Sequence, residues 1–230
     1  MTDNPVLLLH GFGTSSARTW GDNGWIDLLT DAGRRVIAPD LLGHGTAAKP
    51  HDPEAYTELE ALVQAQLDAA APEGPVDAIG FSAGSRVLLT LAADRPERFA
   101  RLVVSGVGAN LFRDGDDPEP LAAALVTDTP PEDPRGAYFH QMAHGPGNDP
   151  FALAAYLRRP RLPPLTDEAL ARITAPVLVV LGEHDFAGPA DPLVAKLPDA
   201  TLVTLPRTDH FATPKNFAFI DAALEFLGAT

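Results

Sequence analysis

Val76-Asp77-Ala78-Ile79-Gly80-Phe81-Ser82-Ala83-Gly84-Ser85 is the stretch whose reading decides the fold. The largely apolar run Val76–Ile79 has strand character, and Ser82–Ala93 has the pattern of a helix. Between them stands Gly80-Phe81-Ser82-Ala83-Gly84, a G-x-S-x-G pentapeptide on a strand-to-helix turn. A turn that tight forces the serine backbone into strained geometry and brings the residues two places to either side close together. Both must be very small, and both are glycine. The bland alternative is a glycine-rich turn with Ser82 serving only as a helix cap.

Outward from this turn, further strand-length apolar runs occur at Val6–Leu9, Val36–Ala38, Leu102–Val104, Val177–Leu181 and Leu202–Leu205. Most are continuous rather than alternating, as in strands buried on both faces of a parallel sheet. Helical patterns separate most of them. Glu54–Ala71 places Leu59, Leu62, Val63, Gln66, Leu67 and Ala70 mainly on one face, and Pro214–Leu227 opens with proline at a suitable first position. Alternation of strand and helix predicts an α/β fold with right-handed crossovers.

Strained serine turns matter chemically because a hydroxyl attacks only after a base removes its proton and a third group orients that base. Leu181-Gly182-Glu183-His184-Asp185 and Thr208-Asp209-His210-Phe211 each follow a strand, on the same carboxyl-end rim as Ser82. The order Ser, Asp, His is the one expected of this turn. His210 is favoured over His10 and His44, which lie in glycine loops and read as structural. It is also favoured over His51, His140 and His144, which follow no strand, and over His184. Asp185 is favoured over Glu183 and over Asn110 or Asp114 after the Leu102–Val104 run. Oxyanion donors are available at Ala83, whose N–H opens a helix, and at Phe12 in His10-Gly11-Phe12-Gly13. That loop lacks the lysine and the spacing of a phosphate-binding loop.

One segment breaks the rhythm. About seventy residues separate Val104 from Val177 without a convincing strand, an insertion of functional rather than bare-loop length. Ten of the twenty-three prolines fall between Pro118 and Pro164. Leu121–Val126, Arg135–Ala143 and Phe151–Arg158 still read as short helices between these breakers. A single domain over 1–230 with a helical cap at about 110–172 is expected.

Taken together, the chain resembles the α/β-hydrolase superfamily. The features that carry the likeness are His10-Gly11-Phe12-Gly13, Asp40-Leu41-Leu42-Gly43-His44-Gly45, the Ser82 turn, Gly182-Glu183-His184-Asp185 and Asp209-His210-Phe211. They run in family order over almost the whole chain and are specific for fold and triad, much less so for substrate. The resemblance implies Ser82 as nucleophile, His210 as base, Asp185 as orienter, and Phe12 and Ala83 as oxyanion donors. Two departures are Ala83, often a bulkier residue, and Ser85, often a further glycine. Only four residues precede Pro5, so the family's two leading strands are not expected. The expected sheet is trimmed to six strands, mostly or wholly parallel, flanked and covered by helices, with Val36–Ala38 at one edge.

Composition narrows the function classes. Seventeen Lys and Arg against thirty-one Asp and Glu give a net charge of −14, which opposes nucleic acid and anionic membranes. Cysteine is absent, removing disulfides, thiolate metal sites and a cysteine nucleophile. No signal peptide is evident and no apolar run reaches the ~18 residues of a membrane helix, so a cytoplasmic location is expected. The histidines lack paired metal-ligand spacing, and no metal or cofactor is implied. The leading reading is a serine carboxylesterase acting on a small or medium acyl ester, a small-molecule substrate. A thioesterase, lactonase, carbon–carbon bond hydrolase or cofactor-free perhydrolase, or a receptor or scaffold retaining the fold, are the alternatives. Epoxide hydrolases and haloalkane dehalogenases would carry Asp at position 82. Phe81, Phe139, Met142, Phe151, Phe186 and Phe211 are the candidate substrate-binding residues. Arg158, Arg159 and Arg161 read as a solvated basic patch rather than an anion site. Oligomeric state is left open.

Overall fold

The computed structural model describes residues 4–113, 117–160 and 165–229. Asp114 and Arg161 lie outside them. Strands β1 (Val6–Leu9), β2 (Val36–Ile37), β3 (Val76–Phe81), β4 (Phe99–Ser105), β5 (Val177–Gly182) and β6 (Ala200–Leu205) form one sheet in the order β2-β1-β3-β4-β5-β6. Every neighbouring pair is parallel. The helices are α1 (Trp25–Asp31), α2 (Leu59–Ala70), α3 (Ala83–Asp94), α4 (Glu119–Leu125), α5 (Pro134–Ala143), α6 (Pro150–Arg158), α7 (Asp167–Ala171), α8 (Asp191–Val194) and α9 (Phe217–Leu227). Among the described residues, the segment between β4 and β5 holds helices α4 to α7 and no strand.

Continuous apolar strands find their explanation in two cores, one on each face of the sheet. Leu7 and Leu9 of β1, Ala78 of β3 and Val177 and Val179 of β5 pack with α2, α3, α7 and α8 on one face. Val6, Leu8, Ile79, Leu178 and Val180 face the other side, against Trp20, α1 and α9. Because alternate side chains enter opposite layers, both must be apolar. Coverage fails at one edge: Thr201 and Thr204 of β6 are exposed, since no strand lies beyond them.

Several boundaries differ from the sequence reading. Glu54–Ala71 is not one helix: Asp52 caps a 3-10 turn at Pro53–Tyr56, and α2 starts afresh at Leu59. Its buried stripe is Leu59, Val63 and Leu67, while Leu62 and Gln66 face solvent. Pro214 belongs to a separate turn, and Asn216 caps α9 by accepting the Ala218 N–H at 2.9 Å. Between β4 and β5, Pro120, Pro134 and Pro150 stand in the first turns of α4, α5 and α6 rather than breaking them. Asp133 and Asp149 accept backbone N–H groups of the first turns of α5 and α6, each with proline next in sequence.

The strand order matters most for the site. From β1 the chain moves outward to β2, then returns to β3 on the other side of β1. The connections leaving β1 and β3 therefore diverge, which opens a crevice at their carboxyl ends. Phe12 follows β1 and Ser82 follows β3.

Candidate active site

Ser82 stands at the crevice with φ 53° and ψ −114°, a conformation L-residues rarely adopt. The glycines flanking it are required by close approach. A β-carbon on Gly80 would lie 2.7 Å from Ser85 Cα, and one on Gly84 would lie 2.2 Å from the Leu9 carbonyl oxygen. Gly84 thus lets α3 begin directly against β1. Ser85 is buried, and its hydroxyl donates to the Ser105 carbonyl at 2.8 Å and accepts the Ser105 N–H at 3.0 Å. This pins the first turn of α3 to the end of β4.

Two later loops bring the partners. His210 Nε2 lies 3.0 Å from Ser82 Oγ, and His210 Nδ1 lies 2.9 Å from both carboxylate oxygens of Asp185. Asp185 Oδ1 also accepts the Ala187 N–H at 2.8 Å. A carboxylate on Nδ1 holds the proton there and leaves Nε2 as the acceptor facing the serine. Both His210 and Asp185 are buried. Gly182 makes the juxtaposition possible, because a β-carbon there would stand 2.3 Å from the Thr208 carbonyl oxygen. Gly106, at φ 67°, leaves the room that His210 Cε1 and Phe81 occupy.

The rival groups are engaged elsewhere. Glu183 is exposed and accepts the Arg207 N–H at 2.8 Å, while Asn110 Oδ1 accepts the Gly108 N–H. His10 Nε2 accepts the Leu41 N–H at 3.0 Å, and its Nδ1 faces the Gly11 carbonyl. Burial lowers the His10 pKa. Burial, then the neighbouring His10, lowers that of His44 to about 3. Both are neutral packing elements beneath the Phe12 loop, His44 meeting Phe12 and Tyr156 edge-on.

A cleft of about 1100 Å³ opens over Ser82 and His210. Phe12, Ala83, Phe81, Phe139, Met142, Phe186 and Phe211 all line it. Ala83 is the first residue of α3, so its N–H has no intrahelical acceptor. Phe81 and Phe186 flank the His210 ring, with centroids 4.9 and 4.3 Å away. Phe151 does not belong with the others. It is 57% exposed on the first turn of α6, does not line the cleft, and packs against His51 instead. The basic residues also divide differently from the sequence reading. Arg158 pairs with Glu119 on the surface, at 2.6 Å, whereas Arg159 lines the cleft. Arg86 lines it too and was missed. Its signal was its place on the helix, one turn beyond Ser82.

Among the described residues, no helix is long and apolar enough to cross a membrane. Comparison with known proteins gives a family. The model for the alpha/beta hydrolase family matches residues 6–222. A 2-hydroxymuconate semialdehyde hydrolase of Pseudomonas putida is 38% identical over 126 residues, 54% of this chain and 41% of that protein. A pimeloyl-[acyl-carrier protein] methyl ester esterase of Neisseria meningitidis is 38% identical over 127 residues, 53% of this chain and 36% of that protein. These matches thus span less than half of the relatives' own length. Among solved structures, a hydrolase from Pseudomonas aeruginosa superposes with a TM-score of 0.72 at 28% identity, covering 99% of this chain and 91% of that one. MenH from S. aureus reaches 0.78 at 23% identity, covering 99% and 94%, a likeness of fold.

Proposed function

The chain belongs to the alpha/beta hydrolase family, and from that premise we propose that it is a serine hydrolase cleaving small or medium acyl esters. The observation that carries the reading is the bridging position of His210, 3.0 Å from Ser82 Oγ and 2.9 Å from Asp185. In this reading Ser82 Oγ attacks the ester carbonyl as its proton passes to His210 Nε2. Asp185 holds the imidazole in the receptive tautomer and stabilises the imidazolium. The oxyanion that develops on the carbonyl oxygen accepts hydrogen bonds from the Phe12 and Ala83 N–H groups. His210 then returns the proton to the departing alcohol, leaving an acyl group on Ser82. Water, deprotonated by the same imidazole, then attacks the acyl carbon, and the proton passes from His210 to Ser82 Oγ as the acid leaves.

Helices α4 to α6 act in this proposal as a cap on a single catalytic domain, while α7 packs with α2 and α3 on the sheet. Leu121, Tyr138, Phe139, Met142 and Tyr156 line the cleft from that segment, where they exclude water and position the acyl chain. The same machinery can serve a carbon–carbon bond hydrolase, a second reading favoured by the relative named as a 2-hydroxymuconate semialdehyde hydrolase.

A fluorophosphonate probe and a panel of p-nitrophenyl esters, thioesters, lactones and a vinylogous diketone test both. Labelling confined to Ser82, ester turnover, and a loss on the order of 10⁶ in kcat for Ser82→Ala are expected. Substantial ester turnover by folded Ser82→Ala protein overturns the assignment. Turnover of the diketone alone favours the second reading.

A further inference from the structure

The charges around the cleft are distributed against the composition of the chain. The sequence carries thirty-one acidic residues and seventeen Lys and Arg. Yet the charged side chains lining the cleft among the described residues are Arg18, Arg86, Arg113, Arg159 and Lys215, with no Asp or Glu. Arg18, Arg113 and Lys215 are exposed, whereas Arg86 and Arg159 are half-buried. A solvated face would mix both signs, particularly in an acidic protein. A cleft lined by one sign focuses a field on whatever enters it.

Arg86 and Arg159 approach from different elements. Arg86 lies on α3 four residues after Ser82, and helical side chains lean toward the N-terminus, here toward the serine. Arg159 follows α6, with its guanidinium carbon 3.8 Å from the Tyr156 ring centroid and Nη1 donating to the Tyr156 carbonyl at 2.8 Å. Stacking of this kind fixes the guanidinium plane and leaves further N–H groups for a ligand. The two cations are near enough to repel. Burial first, then Arg159, pushes the Arg86 pKa below its ordinary value, while Glu60 and Tyr156 act in the opposite sense. Glu60 lines a separate groove beside α2 rather than the cleft. A carboxylate entering the cleft would meet two guanidiniums, and among the described residues no acidic side chain lines it.

We infer that the cleft carries an anion subsite, Arg86 with Arg159, that binds a carboxylate on the substrate away from the scissile bond. The inference rests on the serine hydrolase reading of the same cleft. It makes the preferred substrates monoanionic esters, in which one end reaches Ser82 and the other the arginines. The carboxylate can sit on the acyl side, as in a monoester of a dicarboxylic acid, or on the alcohol side, as in an acylated hydroxy acid.

The test compares each anionic ester with an isostere that differs only in charge. Monoethyl succinate, glutarate and adipate are set against the esters whose free carboxylate is a primary amide, and 4-acetoxybutyrate against 4-acetoxybutanamide. At least one anionic member should exceed its amide in kcat/KM by about 10- to 100-fold, the value of a charged hydrogen bond. Which pair shows it identifies the side that bears the charge. Arg86→Gln and Arg159→Gln should each collapse that ratio chiefly through KM. Arg158→Gln, whose side chain pairs with Glu119 outside the cleft, should preserve it. Ratios near one in every pair, or ratios unmoved by both cleft variants, overturn the subsite. Fluorophosphonate labelling of Ser82 in the same preparation keeps the two readings apart: labelling with charge-blind turnover removes the subsite and leaves the hydrolase. If no ester is turned over and Ser82 is not labelled, calorimetric titration with adipate still decides. Binding weakened by both cleft variants supports the subsite, and absence of binding rejects it.

Discussion

A β-carbon on Gly84 would stand 2.2 Å from the Leu9 carbonyl oxygen, so the start of α3 and the end of β1 are in backbone contact. The obstacle is backbone on both sides, and neither strand β1 nor the helix can yield cheaply. Gly84→Ala should therefore destabilise the fold by roughly 1–3 kcal/mol, the range for overpacking. It should also slow fluorophosphonate labelling, because the turn carrying Ser82 moves away from Phe12. Gly21→Ala, where a β-carbon meets nothing within 4 Å, is the control and should be nearly neutral. Urea titration of both proteins checks the first effect, and labelling rates check the second. Equal stability of the two would show that the packing at this contact is slack.

Asp185 and Glu183 offer a sharper discrimination, since both follow β5 two residues apart. Asp185→Asn should lower kcat on the order of 10⁴, by removing the carboxylate that sets the His210 tautomer. Glu183→Gln should change ester turnover little, because its carboxylate serves the Arg207 N–H at 2.8 Å. Steady-state kinetics on one p-nitrophenyl ester decides the matter. A silent Asp185→Asn beside a crippling Glu183→Gln would force reassignment of the acid.

What could be read from the sequence was local and periodic. The Ser82 turn and the doubly buried strands each follow from short patterns with one physical cause. Side-chain relations across the fold left no such trace. Nothing in the sequence marks Ser85 as the residue whose hydroxyl bridges both backbone groups of Ser105. Likewise Gly106 and Gly182 are ordinary glycines until His210 and Thr208 come against them. Phe151 was misplaced because an apolar residue on a helix near the cleft has two faces to choose from. Its position beside Pro150, on the first turn of α6, puts it on the outer one. Arg86 was overlooked because spacing four residues beyond Ser82 gains meaning only once a cleft exists above both.

The lining positions give a graded test of the cap. Met142 reaches over the Phe12 loop, where a β-carbon on Gly13 would lie 2.1 Å from its Cε, and Phe139 faces Phe12 at 6.3 Å between ring centroids. Phe139→Ala and Met142→Ala should redistribute kcat/KM among C2 to C12 esters by up to roughly 10- to 200-fold, the worth of one pocket methylene. Phe151→Ala should leave the chain-length profile in place. Unaltered profiles in the first two variants would show that α5 does not shape the acyl pocket.

His44 gives the fold a pH dependence whose sign can be worked out. Buried beneath Phe12 and next to His10, it has its pKa lowered from 6.5 to about 3, so the folded protein keeps it neutral where the unfolded chain binds a proton. Its contribution is fully present above the unfolded value and is lost as pH falls toward the folded one. Within that window the loss is about 1.4 kcal/mol per pH unit for the one proton concerned. His10, lowered by the same burial, adds to the slope in the same direction. Replacing His44 removes one titrating group and also its Nδ1–H bond to the Leu42 carbonyl at 3.0 Å, so absolute stability drops at every pH. The slope is the informative quantity. Urea unfolding of wild type and His44→Phe between pH 4.5 and 7 should show the wild type losing stability more steeply, and the two curves converging as pH falls. Parallel curves would mean that His44 titrates alike in the folded and unfolded chains.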